Sequence, residues 1–219
     1  MQNFGAGADP SLIVTEPGSE AGFAPTLSYS ATTDTYEGQI NFSATERGTG
    51  RLRAIGATGG DLVRLQSTYR LQRVRNDQSH DIYADDGNLS LHLEPGSLPG
   101  AEAYLVVMPP GAISGPVPAG LALVGDPYDI TGSGALVALE KPGLLILHYD
   151  GTLISGSAAL NDLGIYHWDP VSQTWQAVPD SLDEAHQSFS ASVTRLGTYA
   201  LLGPPQEFTW PIFLPFITK

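Results

Sequence analysis

The stretch DGNLSLHLEPGSLPG, residues 86–100, sets Leu89, Leu91 and Leu93 against Ser90, His92 and Glu94 and brackets them with Asp86-Gly87, Pro95-Gly96 and Pro99-Gly100. Alternation with period two marks a strand with one buried face, and dipeptides of this kind mark turns. The same grammar runs outward in both directions. Downstream, further turn dipeptides at Pro110-Gly111, Pro142-Gly143 and Asp150-Gly151 separate short apolar runs at 103–108, 121–124, 135–139 and 144–147, and strand patterns recur at 164–168, 174–178, 188–194 and 198–202. Upstream, Val63, Leu65, Tyr69 and Leu71 alternate with Arg64, Gln66, Thr68, Arg70 and Gln72, and Tyr36, Ile40, Phe42 and Ala44 alternate with polar residues over 36–44. Residues 48–60 fit a hairpin feeding the 63–72 strand, and SLIVT at 11–15 reads as another short strand. The one helical signal is 181–186. Many short strands at this spacing predict an all-β chain: an antiparallel β-sandwich over 83–204, preceded by a smaller β unit over 1–82 and followed by an apolar tail at 205–219.

Composition points the same way. Of 219 residues, 25 are Gly and 17 Pro, a density of backbone punctuation that excludes a helical bundle, while 42% hydrophobic residues supply a sizeable core. With no cysteine, disulfides, thiolate zinc sites and cysteine catalysis are all excluded. No apolar run reaches the roughly 18 to 20 residues that span a bilayer as a helix, and the opening MQNFGAGADP lacks the basic and apolar regions of a secretory leader.

The net charge of −13 is unevenly spread. Arg47, Arg51, Arg53, Arg64, Arg70, Arg73 and Arg75 lie within 47–75 with Asp61 as the one acid, whereas the rest of the chain holds three basic and 22 acidic residues. Arg64 and Arg70 share one strand face, and with Arg51 and Arg53 they are the candidate basic surface. Such a face is either solvated or an electrostatic contact with an acidic partner, another copy of the chain or an acidic polysaccharide. The acidic balance and the lone Tyr69 in the segment speak against nucleic acid.

Residues 86–203 resemble the ZU5-like β-sandwich of ankyrin-type scaffolds and bacterial surface proteins. The resemblance is carried by DGNLSLHLEPGSLPG (86–100), VVMPPGA (106–112), IYHWDPVSQTWQAVP (165–179) and SFSASVTRLGTYALL (188–202), in that order. Some members of that family cleave themselves at a His-Phe-Ser or His-Leu-Ser tripeptide. The matching segment here is Thr194-Arg195-Leu196-Gly197-Thr198, without base or nucleophile, so the resemblance implies a non-catalytic scaffold or adhesion module. The ending TWPIFLPFITK also resembles the proline-spaced aromatic tails of secreted proteins of filamentous bacteria.

Few residues suggest chemistry. No G-x-S-x-G elbow is present. His148 with Asp150, and His167 with Asp169, are spaced i, i+2, which suits either a base with its orienting carboxylate or two polar residues ending apolar strands. Asp81, Asp85, Asp86 and Asn88 form an oxygen-rich turn that suits calcium or an ordinary Asx-rich hairpin, since the full D-x-[DN]-x-[DN]-G loop is lacking. Apart from that calcium candidate no cofactor is expected. Trp168 and Trp175 could form a sugar-stacking platform, but the resemblance implies core positions for them.

In the tail, Phe208, Trp210, Ile212, Leu214 and Phe216 alternate with Pro211, Phe213, Pro215 and Ile217. The two prolines have equal parity, so one strand edge lacks two donors while the edge served by Trp210, Ile212, Leu214 and Phe216 keeps its own. This suits a terminal strand docking at a sheet edge, in its own sandwich or in a neighbour's. The expectation is a non-enzymatic, extracellular structural protein that assembles with copies of itself, with an adhesion or carbohydrate-binding module as the alternative.

Overall fold

The computed structural model describes residues 10–31, 35–41, 47–58, 61–109, 116–134, 136–154 and 160–205. The strands follow the chain as β1 (Ser11–Thr15), β2 (Gly22–Phe23), β3 (Leu27–Ser30), β4 (Thr35–Gly38), β5 (Arg47–Thr58), β6 (Asp61–Arg75), β7 (His80–Tyr83), β8 (Leu89–Leu93) and β9 (Glu102–Met108). They continue as β10 (Ala122–Leu123), β11 (Tyr128–Gly132), β12 (Ala138–His148), β13 (Gly164–Asp169), β14 (Thr174–Ala177), β15 (Asp180–Asp183), β16 (Ser188–Arg195) and β17 (Gly197–Gly203). Strands make up 59% of the chain and helix 2%, in two antiparallel sheets, so the all-β class holds.

The larger sheet runs β14-β13-β17-β11-β9-β6-β5-β1-β2, with β10 also on β17; the smaller runs β15-β16-β12-β8-β7, and β3 pairs with β4 alone. Between the two sheets lies the main core. Leu89, Leu91 and Leu93 of β8 and Leu145 and Leu147 of β12 meet Leu105 and Val107 of β9, Ile130 of β11 and Leu201 of β17. On the outer face of the larger sheet Trp168 and Trp175 cross edge to face at 5.6 Å between ring centroids and pack with Ala200 and Leu202 as buried residues.

Of the N-terminal strands, β1, β2, β5 and β6 belong to the larger sheet, because β6 pairs with β5 over residues 61–72 and with β9 over 70–75. The division expected at 82/83 falls inside β7. The stretch 48–60 is not a hairpin of its own; β5 is one unbroken strand, and the hairpin is β5 with β6. Most of it projects past β9 as an arm, which β1 borders on the β5 side over Arg51–Ile55. On the arm's outer face the Tyr69 ring lies over Gly50, where a Cβ would stand 2.2 Å from the ring, and its hydroxyl donates to the Thr15 carbonyl at 3.1 Å.

Two local expectations fail. Pro142-Gly143 is not a turn: β12 runs through it, with a register shift between Ala138 and Gly143 that accommodates the missing proline donor. Gly143 is required there because a Cβ would meet Leu91 and Leu93 side chains within 3 Å. The helical signal at 181–186 forms β15 and a turn, because Leu182 pairs opposite Phe189 and is drawn onto the core. The turn at Asp150 opens a single 3-10 turn, Gly151–Leu153, which Asp150 caps through Thr152 N.

After β6 the chain breaks at Asn76, whose side chain is bonded both ways to the backbone of buried Leu98: Nδ2 donates to its carbonyl at 2.9 Å and Oδ1 accepts from its amide at 2.8 Å. The Asn76 amide donates to Ala101 O and its carbonyl accepts from Gly96 N, both at 2.8 Å. One side chain thus pins the whole 95–101 connection between the sheets. Asn76→Ala leaves that buried backbone unpaired and is expected to cost about 1–3 kcal/mol in urea unfolding. Leu145→Ala, at a fully buried core position, is expected to cost about 2–5 kcal/mol.

Candidate assembly surfaces

Register decides where the arginines go. In the β5–β6 ladder Arg51 stands opposite Thr68, Arg53 opposite Gln66, Ile55 opposite Arg64, Thr49 opposite Arg70 and Arg47 opposite Gln72. Residues directly opposite share a face, so Arg47, Arg51, Arg53, Arg64 and Arg70 all lie on one side of the arm. The face is continuous with the one that carries Val74 and Leu105 into the core, but among the described residues no second sheet covers it here. Arg51, Arg53 and Arg64 are exposed and Arg70 half-buried. Arg70 Nη1 donates to Thr49 Oγ1 at 3.1 Å, and Thr49 donates to Asp85 Oδ1 at 2.6 Å, tying the root of the arm to the β7–β8 turn.

Arg73 and Arg75 have the opposite parity and leave this face. Arg73 pairs with Glu102, and Arg75 with Asp77 at 3.4 Å. The ion pairs of the described residues take no arginine of the basic face. Glu16 and Glu20 flank it on the β1 side, where a cleft of about 640 Å³ also touches Arg51, Arg53 and Gln66. The opposite margin is open: residues 61–69 of β6 have β5 on one side and, among the described residues, no strand on the other.

The oxygen-rich turn is divided among separate partners. Asp81 holds His92 at 2.6 Å, Asp85 takes Thr49, and Asp86 accepts from Tyr128 Oη and from the Asn88 amide. Among the described residues no group of three or more His, Asp or Glu side chains is placed to hold a metal ion. Neither histidine–carboxylate pair forms. His148 Nδ1 lies 3.3 Å from His186 O, and Asp169 accepts from Val171 N, Ser172 Oγ and Gln176 Nε2. His167 is buried against the Tyr199 ring, and its Nε2 has no partner among the described residues. Beside it a mainly apolar cleft of about 600 Å³ opens between Leu136, Val137, Val171 and Leu196. The tail residues Phe208, Trp210, Ile212, Leu214 and Phe216 lie outside the described residues.

Sequence reasoning missed His92, which sits between two carboxylates, Asp81 on Nδ1 and Glu94 on Nε2 at 3.2 Å. Its i, i+2 spacing from Glu94 was the visible half of the signal; Asp81 arrives by strand pairing. No protein-family model matches the chain, and no curated protein is similar to it in sequence.

The two histidines should titrate on opposite sides of 6.5. Hydrogen bonds to Asp81 and then Glu94 raise the His92 pKa, whereas burial lowers that of His167. The His92 contribution to stability is therefore full below about 6.5 and lost as pH rises through its raised value, and it is small because all three side chains are wet. That of His167 is present above about 6.5 and lost as pH falls through its lowered value. NMR titration should show this order, with Asp81→Asn moving the His92 midpoint down and leaving His167 in place.

Proposed function

We propose that the chain is a non-enzymatic, extracellular structural protein whose copies join into a surface layer or filament. The observation that carries this reading is the open edge of β6, nine residues long at 61–69 and bordered by no strand among the described residues. An unpaired edge of that length is a template for an added strand. The sequence supplies an uncharged, strand-patterned segment of matching length at 208–217, in which the even-numbered residues are all non-proline and so keep their amide donors. Tail of one copy on arm of the next is a head-to-tail contact, and such contacts build open fibres unless the rotation closes them. The positive arm and the acidic body orient the approach, since exposed pairs worth about 0.2–1 kcal/mol each steer more than they hold. Buried Trp168 and Trp175 leave no tryptophan platform for the adhesion alternative among the described residues.

Deletion of 207–219 tests the reading by electron microscopy and light scattering, with circular dichroism as the check on folding. The expected product is a folded β protein that no longer assembles, while the full chain does. Unfolding on deletion would place the tail in its own sandwich, and assembly unchanged by deletion would remove the tail from it; either overturns the proposal. Arg64→Glu with Arg70→Glu is expected to slow assembly and to weaken its dependence on salt.

A further inference from the structure

Strand addition would use the edge of β6; the face of the arm, whose charge steers the approach of copies without holding them, can also take a partner of its own. The register places one arginine on each of five successive same-face rungs: Arg47, then Arg70, Arg51, Arg53 and Arg64. Same-face rungs are about 6.6–6.8 Å apart, so the row runs roughly 27 Å along the arm. Across the ladder from these arginines stand Gln72, Thr49, Thr68, Gln66 and Ile55, four hydrogen-bonding side chains and a single apolar one.

We propose that this face binds a linear polyanionic polysaccharide, a polyuronate, laid lengthwise along the arm. A guanidinium takes a carboxylate through two parallel hydrogen bonds, and a row of them matches a polymer whose carboxylates recur at regular intervals. Threonine and glutamine between the cations suit the hydroxyls that separate those carboxylates. The centre of a protein interface is depleted in charge and rich in aromatic and apolar residues, and this face has the reverse composition. Single-stranded nucleic acid would need aromatic platforms, whereas Tyr69 lies on the opposite face over Gly50. The net acidic charge of the rest of the chain disfavours a polyanion elsewhere, and Glu16 and Glu20 flank the face on the β1 side, so the polymer lies over β5 and β6 and leaves past the open margin.

The test is affinity electrophoresis and titration calorimetry of the full chain with polygalacturonate, with neutral dextran, poly-L-glutamate and duplex DNA as comparisons. Polygalacturonate should bind and dextran should not. Affinity should fall with salt on a log–log line whose slope loses about one for each contacting arginine removed. Arg53→Gln and Arg64→Gln should each weaken binding about two- to fivefold. Arg73→Gln, from the same run of sequence but on the other face and paired with Glu102, should bind as the native chain does. The chain lacking 207–219 should bind fully, which separates this proposal from strand-mediated assembly. Failure to bind polygalacturonate, an Arg73→Gln effect equal to that of Arg53→Gln, or tighter binding of poly-L-glutamate or DNA would each overturn it.

Discussion

Strand β6 is longer than the layer available to cover it, and the rest of the molecule accommodates that mismatch. Its fifteen residues keep one register with β5 and, at the far end, pair with β9 as well. Where β9 flanks it, Val74 faces the second sheet and is buried in the main core. Toward the tip of the arm the same face passes from Gln72 and Arg70, half-buried beside the end of β9, to Gln66 and Arg64, exposed beyond it. The other face does the opposite. There Arg73 meets solvent and Glu102, and Leu71 and Tyr69 are buried with Val14, Leu52 and Val106. A single strand thus exchanges its polar and apolar faces along its length, because the layer that buries it changes sides.

That exchange explains why the cations cluster. Charges cannot enter the space between the sheets without partners, so the arginines begin where the smaller sheet ends. Thr49, Arg70 and Asp85 mark the border, and their bonded row gives the last rung of the arm a polar attachment to the body. Asn76 performs the complementary task at the other end of β6. It ends the strand and satisfies the backbone of a buried connection that carries the chain through β7 and β8 back to β9.

Much of the fold was legible because period-two patterns require little context. Leu89, Leu91 and Leu93 read as a buried row and are one, and the strands at 164–169, 188–195 and 197–203 lie within a residue or two of their patterns. What stayed hidden depended on pairing. Pro142-Gly143 reads as a turn because the sequence does not reveal the strand that passes over Gly143. The 181–186 segment reads as a helical turn because its tie to Phe189 is a matter of partner. His148, His167 and the four oxygen-bearing residues at 81–88 suggested sites through spacing alone, but once the sheets formed His148, His167, Asp81 and Asp85 turned to other neighbours, while Asp86 took Tyr128 and the Asn88 amide.

The basic face shows most clearly what a sequence lacks. Alternation places Arg64 and Arg70 together, and separately Arg51 with Arg53, but nothing within either strand says whether the two pairs meet. Their meeting depends on the two residues between Thr58 and Asp61, which make odd positions of β5 oppose even positions of β6. A one-residue slip of that pairing would set odd positions of β5 against odd positions of β6 and send the arginines of β5 to the side of Tyr69 and Leu71. There they would face apolar neighbours and lose the solvent that makes five adjacent cations tolerable. Connection length and charge pattern are therefore one constraint: the shortest common hairpin fixes the phase, and the phase gathers the charge on the face that the body leaves uncovered.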